Sequence, residues 1–354
     1  MNRQFLQKRI GDMSQIAGLK RYVFSEGKAK GIEAIDVRTG SGLSFTVLPG
    51  RGMDVAWAEF NGIQFSYISK TGIVSPDYYE SRDSEWLQTF FAGLLTTCGL
   101  SNAGPSCEEE HPVIGKRHFG LHGRISNMAA EQVCIGEEWR GDDFIMTISG
   151  RMRESVLHCE NLVLKRTVTT FLGAKFIKIH DTVENEGLSD QPLMILYHFN
   201  IGYPVIDEKS RLITNSKEIL PANPRSVERI QEYRQMQLPV KDEKEQLFFH
   251  DFKTDETGMT CCGIINPDLN FGVYIQYKKS KLPRFSQWKM MGETEYVVAM
   301  EPGNCNPTGR VEARKNGSLE YLKAGESKEI ELEIGVLSTQ KEIEEFMKKV
   351  DSLK

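Results

Sequence analysis

Phe176-Ile177-Lys178-Ile179-His180 alternates apolar with polar side chains, and much of the chain repeats that habit. Period-two alternation turns one side of an extended backbone to a core and the other to water, the mark of a half-buried strand. Runs of similar length lie on both sides: Leu43-Ser44-Phe45-Thr46-Val47-Leu48, Phe144-Ile145-Met146-Thr147-Ile148 and Leu162-Val163-Leu164. Gly272-Val273-Tyr274-Ile275-Gln276-Tyr277 and Glu295-Tyr296-Val297-Val298-Ala299-Met300 continue the series. All are rich in β-branched and aromatic residues. Turn-forming pairs punctuate them at Asn61-Gly62, Glu186-Gly187, Thr257-Gly258 and Asn316-Gly317.

Helical spacing is sparse. Trp86, Phe90, Phe91 and Leu94 predict a helix over 85–95, residues 341–350 predict a short amphipathic one, and the opening segment 2–16 is a third candidate. The sequence has no fixed-period repeat, low-complexity tract or long linker. Many strands, few helices and no boundary predict an all-β fold: one large antiparallel β-sandwich with a few short helices, spanning 1–354 as a single domain. A length of 354 residues is within reach of such a sandwich, and a 40% hydrophobic content supplies a sizeable core.

Composition narrows the partners. The net charge is −5 with acids and bases interspersed, so a nucleic-acid or anionic-membrane surface is not expected. Charge begins at Arg3, and no stretch approaches the roughly twenty apolar residues of a membrane span. The seven cysteines are scattered; the one close pair, Cys261-Cys262, is adjacent and poorly placed for a disulfide. Free thiols in the cytoplasm are the expectation. Metal-binding, phosphate-loop, dinucleotide and nucleophile-elbow signatures are missing, so neither metal nor cofactor is expected. Gly50 and Gly52, around Arg51, do not form a phosphate loop.

In a curved sandwich, polar residues set inside apolar strands are the ones that line a cleft. Three segments carry them. In Arg117-His118-Phe119-Gly120-Leu121-His122-Gly123-Arg124, histidines and arginines surround glycines that let backbone pass close to a ligand, though a solvated basic turn reads equally well. In Tyr197-His198-Phe199-Asn200, His198 and Asn200 share one face of a strand. A lone histidine there is more often a core residue; the paired Asn200 points to a polar cleft. Third, Tyr296-Val297-Val298-Ala299-Met300-Glu301-Pro302-Gly303 reads as an apolar strand ending in a carboxylate and broken at Pro-Gly. Partial burial there would make Glu301 a better base, whereas a strand-end glutamate in water is the plain alternative. Gln287-Trp288 offers an amide beside an indole, a sugar platform, and Arg51 with Asp54 would pair or grip hydroxyls.

Taken in order, these segments resemble the aldose 1-epimerase, or galactose mutarotase-like, superfamily in a divergent branch. Leu121-His122-Gly123 is similar to its Leu-His-Gly motif, whose histidine binds substrate near the reacting oxygen. Ile177 through Asn185-Glu186-Gly187 to His198-Phe199-Asn200 resembles the block delivering its general acid, and Glu301 is similar in place to its general base. Arg124 stands where the family usually has a small residue; in the cleft it would suit an acidic, sulfonated or phosphorylated sugar. No acid around Asp242 stands out as the family's hexose-binding aspartate.

The resemblance implies a galactose mutarotase-like supersandwich and an isomerase of carbohydrate metabolism interconverting the α and β anomers of a free or modified aldose without a cofactor. Glu301 would be the base on O1 and His198 the acid on the ring oxygen, on opposite sides of the sugar. His122 would donate a hydrogen bond, while Arg51, Arg124, Asn200, Gln287 and Trp288 hold the substrate. The rival from another class is a carbohydrate-binding protein without chemistry on the same fold; a paired acid and base, which binding alone does not need, argues for the enzyme. A hydrolase would show two carboxylates at one bond.

Overall fold

Two antiparallel sheets face one another in the computed structural model, which describes residues 3–354. Among these residues the larger sheet has 12 strands and the smaller 8. The larger runs from Gly18–Val23 through Glu33–Arg38, Leu43–Leu48, Asp54–Phe60 and Leu95–Leu100 to its middle strand, Gln191–Gly202. It continues through Tyr296–Gly303, Arg284–Met291 and Gln246–Phe252 to Ser216–Pro221. The smaller has Phe176–Asn185 and Ser327–Leu337 at its centre.

Alternation decides which side chains meet between the sheets. Ile177, Ile179 and Val183 of one strand pack with Tyr197, Phe199 and Ile201 of another in a single apolar cluster. The even-numbered residues of Gln191–Gly202 therefore point away from the smaller sheet. Adjacent Cys261 and Cys262 illustrate the same rule: Cys262 enters the inter-sheet core, and Cys261 packs outside under the C-terminal helix. All seven thiols are free. Asn61 and Gly62 both take positive φ, 50° and 81°, and form the tight hairpin their pairing predicts.

The helical expectations divide. The C-terminal helix is present as Gln340–Asp351, capped by Thr339, whose hydroxyl accepts from the Glu342 amide, and it buries Ile343, Phe346 and Val350. In the opening segment only Arg3–Gln7 and a 3₁₀ turn at Met13–Gln15 are helical, and Asn2 lies outside the described residues. The helix over 85–95 is not formed. Glu85–Gln88 makes one 3₁₀ turn, after which Ala92 and Gly93 take positive φ and Leu95–Leu100 is a strand. Leu94 and Leu95 are pulled into the core between the sheets, and that burial outweighs local helical spacing.

Candidate active site

The outward-facing His198 sits on the middle strand of the larger sheet. The register Leu196↔Gly303 and Phe199↔Met300 puts His198 opposite Glu301 on Tyr296–Gly303. His198 Nε2 lies 3.2 Å from Glu301 Oε1, with the two side chains only 7% and 2% exposed. Glu301 does not close its strand, as the Pro-Gly step led us to expect. Pro302 still pairs with Phe285, so the strand runs on to Gly303 and holds Glu301 away from bulk water. The ladder to Gln191–Gly202 skips the step at Glu301 and Pro302, where an imino residue removes no sheet hydrogen bond.

Both groups open onto a cavity of about 580 Å³ whose wall includes Trp86, Phe90, His122, Glu245 and Trp288. The His198 ring meets Phe90 and Trp288 edge-on at centroid distances of 5.4 and 5.5 Å. His122 lies 4.9 Å from Trp86 and 6.2 Å from His198. His122 takes a left-handed conformation, φ 56°, held by its amide donating to Gly104 and its carbonyl accepting from Gly99. Gly123 follows at φ 69°; a Cβ there would stand 2.3 Å from the Gly99 carbonyl oxygen, so the loop can lie against its strand only as glycine.

Burial sets the electrostatics. It lowers His198 to about 3, with His122 contributing, and His122 to about 4. It raises the Glu301 carboxyl well above the ordinary carboxylate range, helped by the nearby Glu245. Burial thus favours a neutral imidazole beside a protonated carboxyl, one proton between the two groups. Glu301 Oε1, His198 Nδ1 and His122 Nδ1 are buried without a hydrogen-bond partner among the described residues.

Four other expected contacts are not brought to the cavity. Arg51 is buried beneath it and donates to the carbonyls of Ser126, Val74 and Thr89, without hydrogen-bonding Asp54; it ties the Trp86–Phe90 wall to the His122 loop. Arg124 turns off the other side of that loop to Glu160 at 3.1 Å and Glu154 at 3.6 Å. Asn200 shares the His198 face, yet its amide donates to the Ala92 and His198 carbonyls under the 90–94 segment. Gln287 neighbours Trp288 in sequence and so points to the opposite side of the sheet, where it bonds His250 and the Tyr233 carbonyl. Trp288 itself lines the cavity.

The sequence reading missed Trp86, Phe90 and Glu245. Trp86 and Phe90, at helical spacing, instead stack with centroids 4.5 Å apart as one piece of cavity wall. Glu245 accepts a 2.9 Å bond from the Trp288 indole. Its signal was faint: an acid just before an apolar strand, whose Leu247 pairs with Trp288. Among the described residues no cluster of three or more His, Cys, Asp or Glu is gathered as metal ligands would be.

Two facing antiparallel sheets form a β-sandwich of the galactose mutarotase-like fold, as solved structures bear out. A provisionally assigned aldose 1-epimerase from Klebsiella pneumoniae superposes with TM-score 0.88 at 22% identity, covering 100% of this chain and 91% of that one. A galactose mutarotase-like protein from Clostridium acetobutylicum gives 0.64 at 14% identity, covering 92% and 100%. Galactose 1-epimerase from Lactobacillus acidophilus gives 0.59 at 11%, again covering 92% and 100%. No curated protein matches the sequence. The chain belongs to the family described as domain of unknown function DUF4432, whose profile matches residues 29–336.

Proposed function

We propose that this protein is an aldose 1-epimerase acting on a neutral free sugar, with His198 and Glu301 as its acid–base pair. The observation that carries the reading is their 3.2 Å approach at an aromatic-walled cavity. This spacing favours acid and base side by side at the anomeric centre over the expected placement on opposite sides of the sugar. It also suits the chemistry better, because O1 and the ring oxygen are bonded to the same carbon.

Ring opening moves two protons. In the ion-pair arrangement of the same single proton, Glu301 takes the O1 proton and His198, protonated at Nε2, gives its proton to the ring oxygen. The C1–ring-oxygen bond breaks as the C1 carbonyl forms, leaving neutral imidazole and protonated carboxyl, the form burial already favours. Rotation about C1–C2 and the reverse steps give the other anomer. His122 donates to the oxygen where charge develops, and Trp288 offers a face to the pyranose C–H groups.

Neutral sugar follows from the lining: among the described residues no Lys or Arg borders the cavity, while Glu245 and Glu301 do. With Arg124 turned away, the argument for an acidic or phosphorylated substrate loses its support. Glu301→Gln and His198→Ala should each slow anomer exchange by about 10²–10⁴-fold with the fold retained. NMR exchange or polarimetry across neutral and acidic monosaccharides measures this, and wild-type rates in either variant sink the assignment. Sugar binding without exchange in the wild-type protein would favour the non-catalytic carbohydrate-binding reading.

A further inference from the structure

The larger sheet carries a second concavity on its outward face, about 830 Å³, over its first strands and remote from His198 in strand order. Strand register builds it from two cross-strand rows. Lys20 pairs with Asp36 and Asp36 with Thr46. A register shift between Phe45 and Val47 then sets Ala56 and Trp57 against Thr46. Two residues along, Ser44 pairs with Glu59 and Glu59 with Gln64. Rows two residues apart on one face leave a trough about 7 Å across between them.

The side chains are arranged for a polyol. Trp57, half-buried, is backed by Phe24 at 6.2 Å and so presents a fixed aromatic surface in a row otherwise polar. Asp36 is oriented by hydrogen bonds from Tyr22 and Thr46, at 3.0 and 2.7 Å, that both reach the same oxygen, Oδ1. Glu59 is held by Ser44 at 3.2 Å, while Lys20 stands exposed at the end of the first row. Two carboxylates balanced by Lys20 and Arg38 leave the lining without net charge. An aromatic face, oriented acceptors, hydroxyls and charge balance match a neutral saccharide, whose C–H face packs on indole while its hydroxyls bridge the rows. An anionic ligand would meet Asp36 and Glu59 as well as Lys20 and Arg38 and gain no net attraction, and an apolar one would strip water from four charged groups.

We propose that this trough is a second, non-catalytic binding site for a neutral saccharide, independent of the cavity holding His198 and Glu301. The protein has four tryptophans, at 57, 86, 139 and 288, so fluorine NMR of the full chain labelled with 5-fluorotryptophan reports the two sites separately. Titration with maltotriose and lactose should move the Trp57 resonance saturably, and titration with galacturonate should not. Glu59→Gln, at an exposed position, should weaken that response about tenfold, a loss of the size expected for one hydrogen-bonding group. Trp57→Phe should identify the resonance, and in both variants the Trp288 response should persist. A Trp57 signal unmoved by either neutral saccharide overturns the second site whatever Trp288 does. So does a shift with galacturonate of equal size, or a Glu59→Gln variant that titrates like the wild type. Movement of Trp57 without any at Trp288 or Trp86 would uphold the trough while counting against the epimerase reading.

Discussion

A buried carboxyl and imidazole with one proton between them can hold it as an ion pair or as two neutral groups, and desolvation favours the second. That choice sets the pH range of the proposed reaction. With His198 lowered to about 3 and His122 to about 4, neither cavity histidine titrates near 6.5. The pair loses its proton only when Glu301 ionises, above the usual carboxylate range. Exchange plotted against pH should therefore be level through 6.5 and fall on an alkaline limb. Glu245 is one of the causes holding Glu301 high, so Glu245→Gln should move that limb to lower pH. Polarimetric profiles of wild type and variant decide it; an inflection at 6.5, or a limb that stays or rises, contradicts the shared-proton description. Of these residues, His198 and Glu301 were legible in the sequence because each breaks an apolar strand pattern. Glu245 was not, since an acid beside an apolar strand is ordinary until a register sets it by Trp288.

Along Gln246–Phe252, His250 is a buried histidine on the core side, bonded to Ser216 at 3.0 Å and Gln287 at 3.1 Å. Burial lowers it to about 4. The unfolded chain takes up this proton near 6.5 and the folded one only near 4, so between those values the unfolded state binds more protons. Stability present above 6.5 is then lost as pH falls toward 4, by up to about 1.4 kcal/mol per pH unit. His250→Gln lacks that titration, so its unfolding free energy should decline less than the wild type's between pH 7 and pH 5. Urea denaturation at the two values tests this, and parallel declines would refute it. Periodicity located elements well where a strand's face was decided by a sheet, as in Leu43–Leu48 and the run at Phe176. It failed at 85–95, where the same spacing served a cavity wall. The Pro302-Gly303 break failed as well, because the ladder already lacked a bond at that step.

Across the sandwich, charge is buried as well as hydrocarbon. Arg166 from the smaller sheet reaches Asp181 through two bonds, 2.9 and 2.7 Å, and Asp54 of the larger sheet at 3.1 Å. Tyr197 donates to Asp181, and Thr97 to Asp54, one strand step from the residues of the cavity. Arg166→Leu would leave Asp181 and Asp54 buried without the cation that bonds them both and should cost about 3–5 kcal/mol in chemical denaturation. A loss within about 1 kcal/mol, the size of an exposed ion pair, would show the network to be slack.

The all-β antiparallel sandwich class and the candidacy of His198 and Glu301 were determined by sequence alone, because period-two patterning marks strands and shows which polar residues interrupt them. Tertiary structure decided what shares a cavity. Arg51, Arg124, Asn200 and Gln287 are drawn to backbone carbonyls, carboxylates or the opposite sheet face, while Trp86, Phe90 and Glu245 arrive from distant segments. Convergence depends on how strands order within a sheet and where loops fold over it, and that depends on contacts between residues a hundred or more positions apart, which no local pattern encodes.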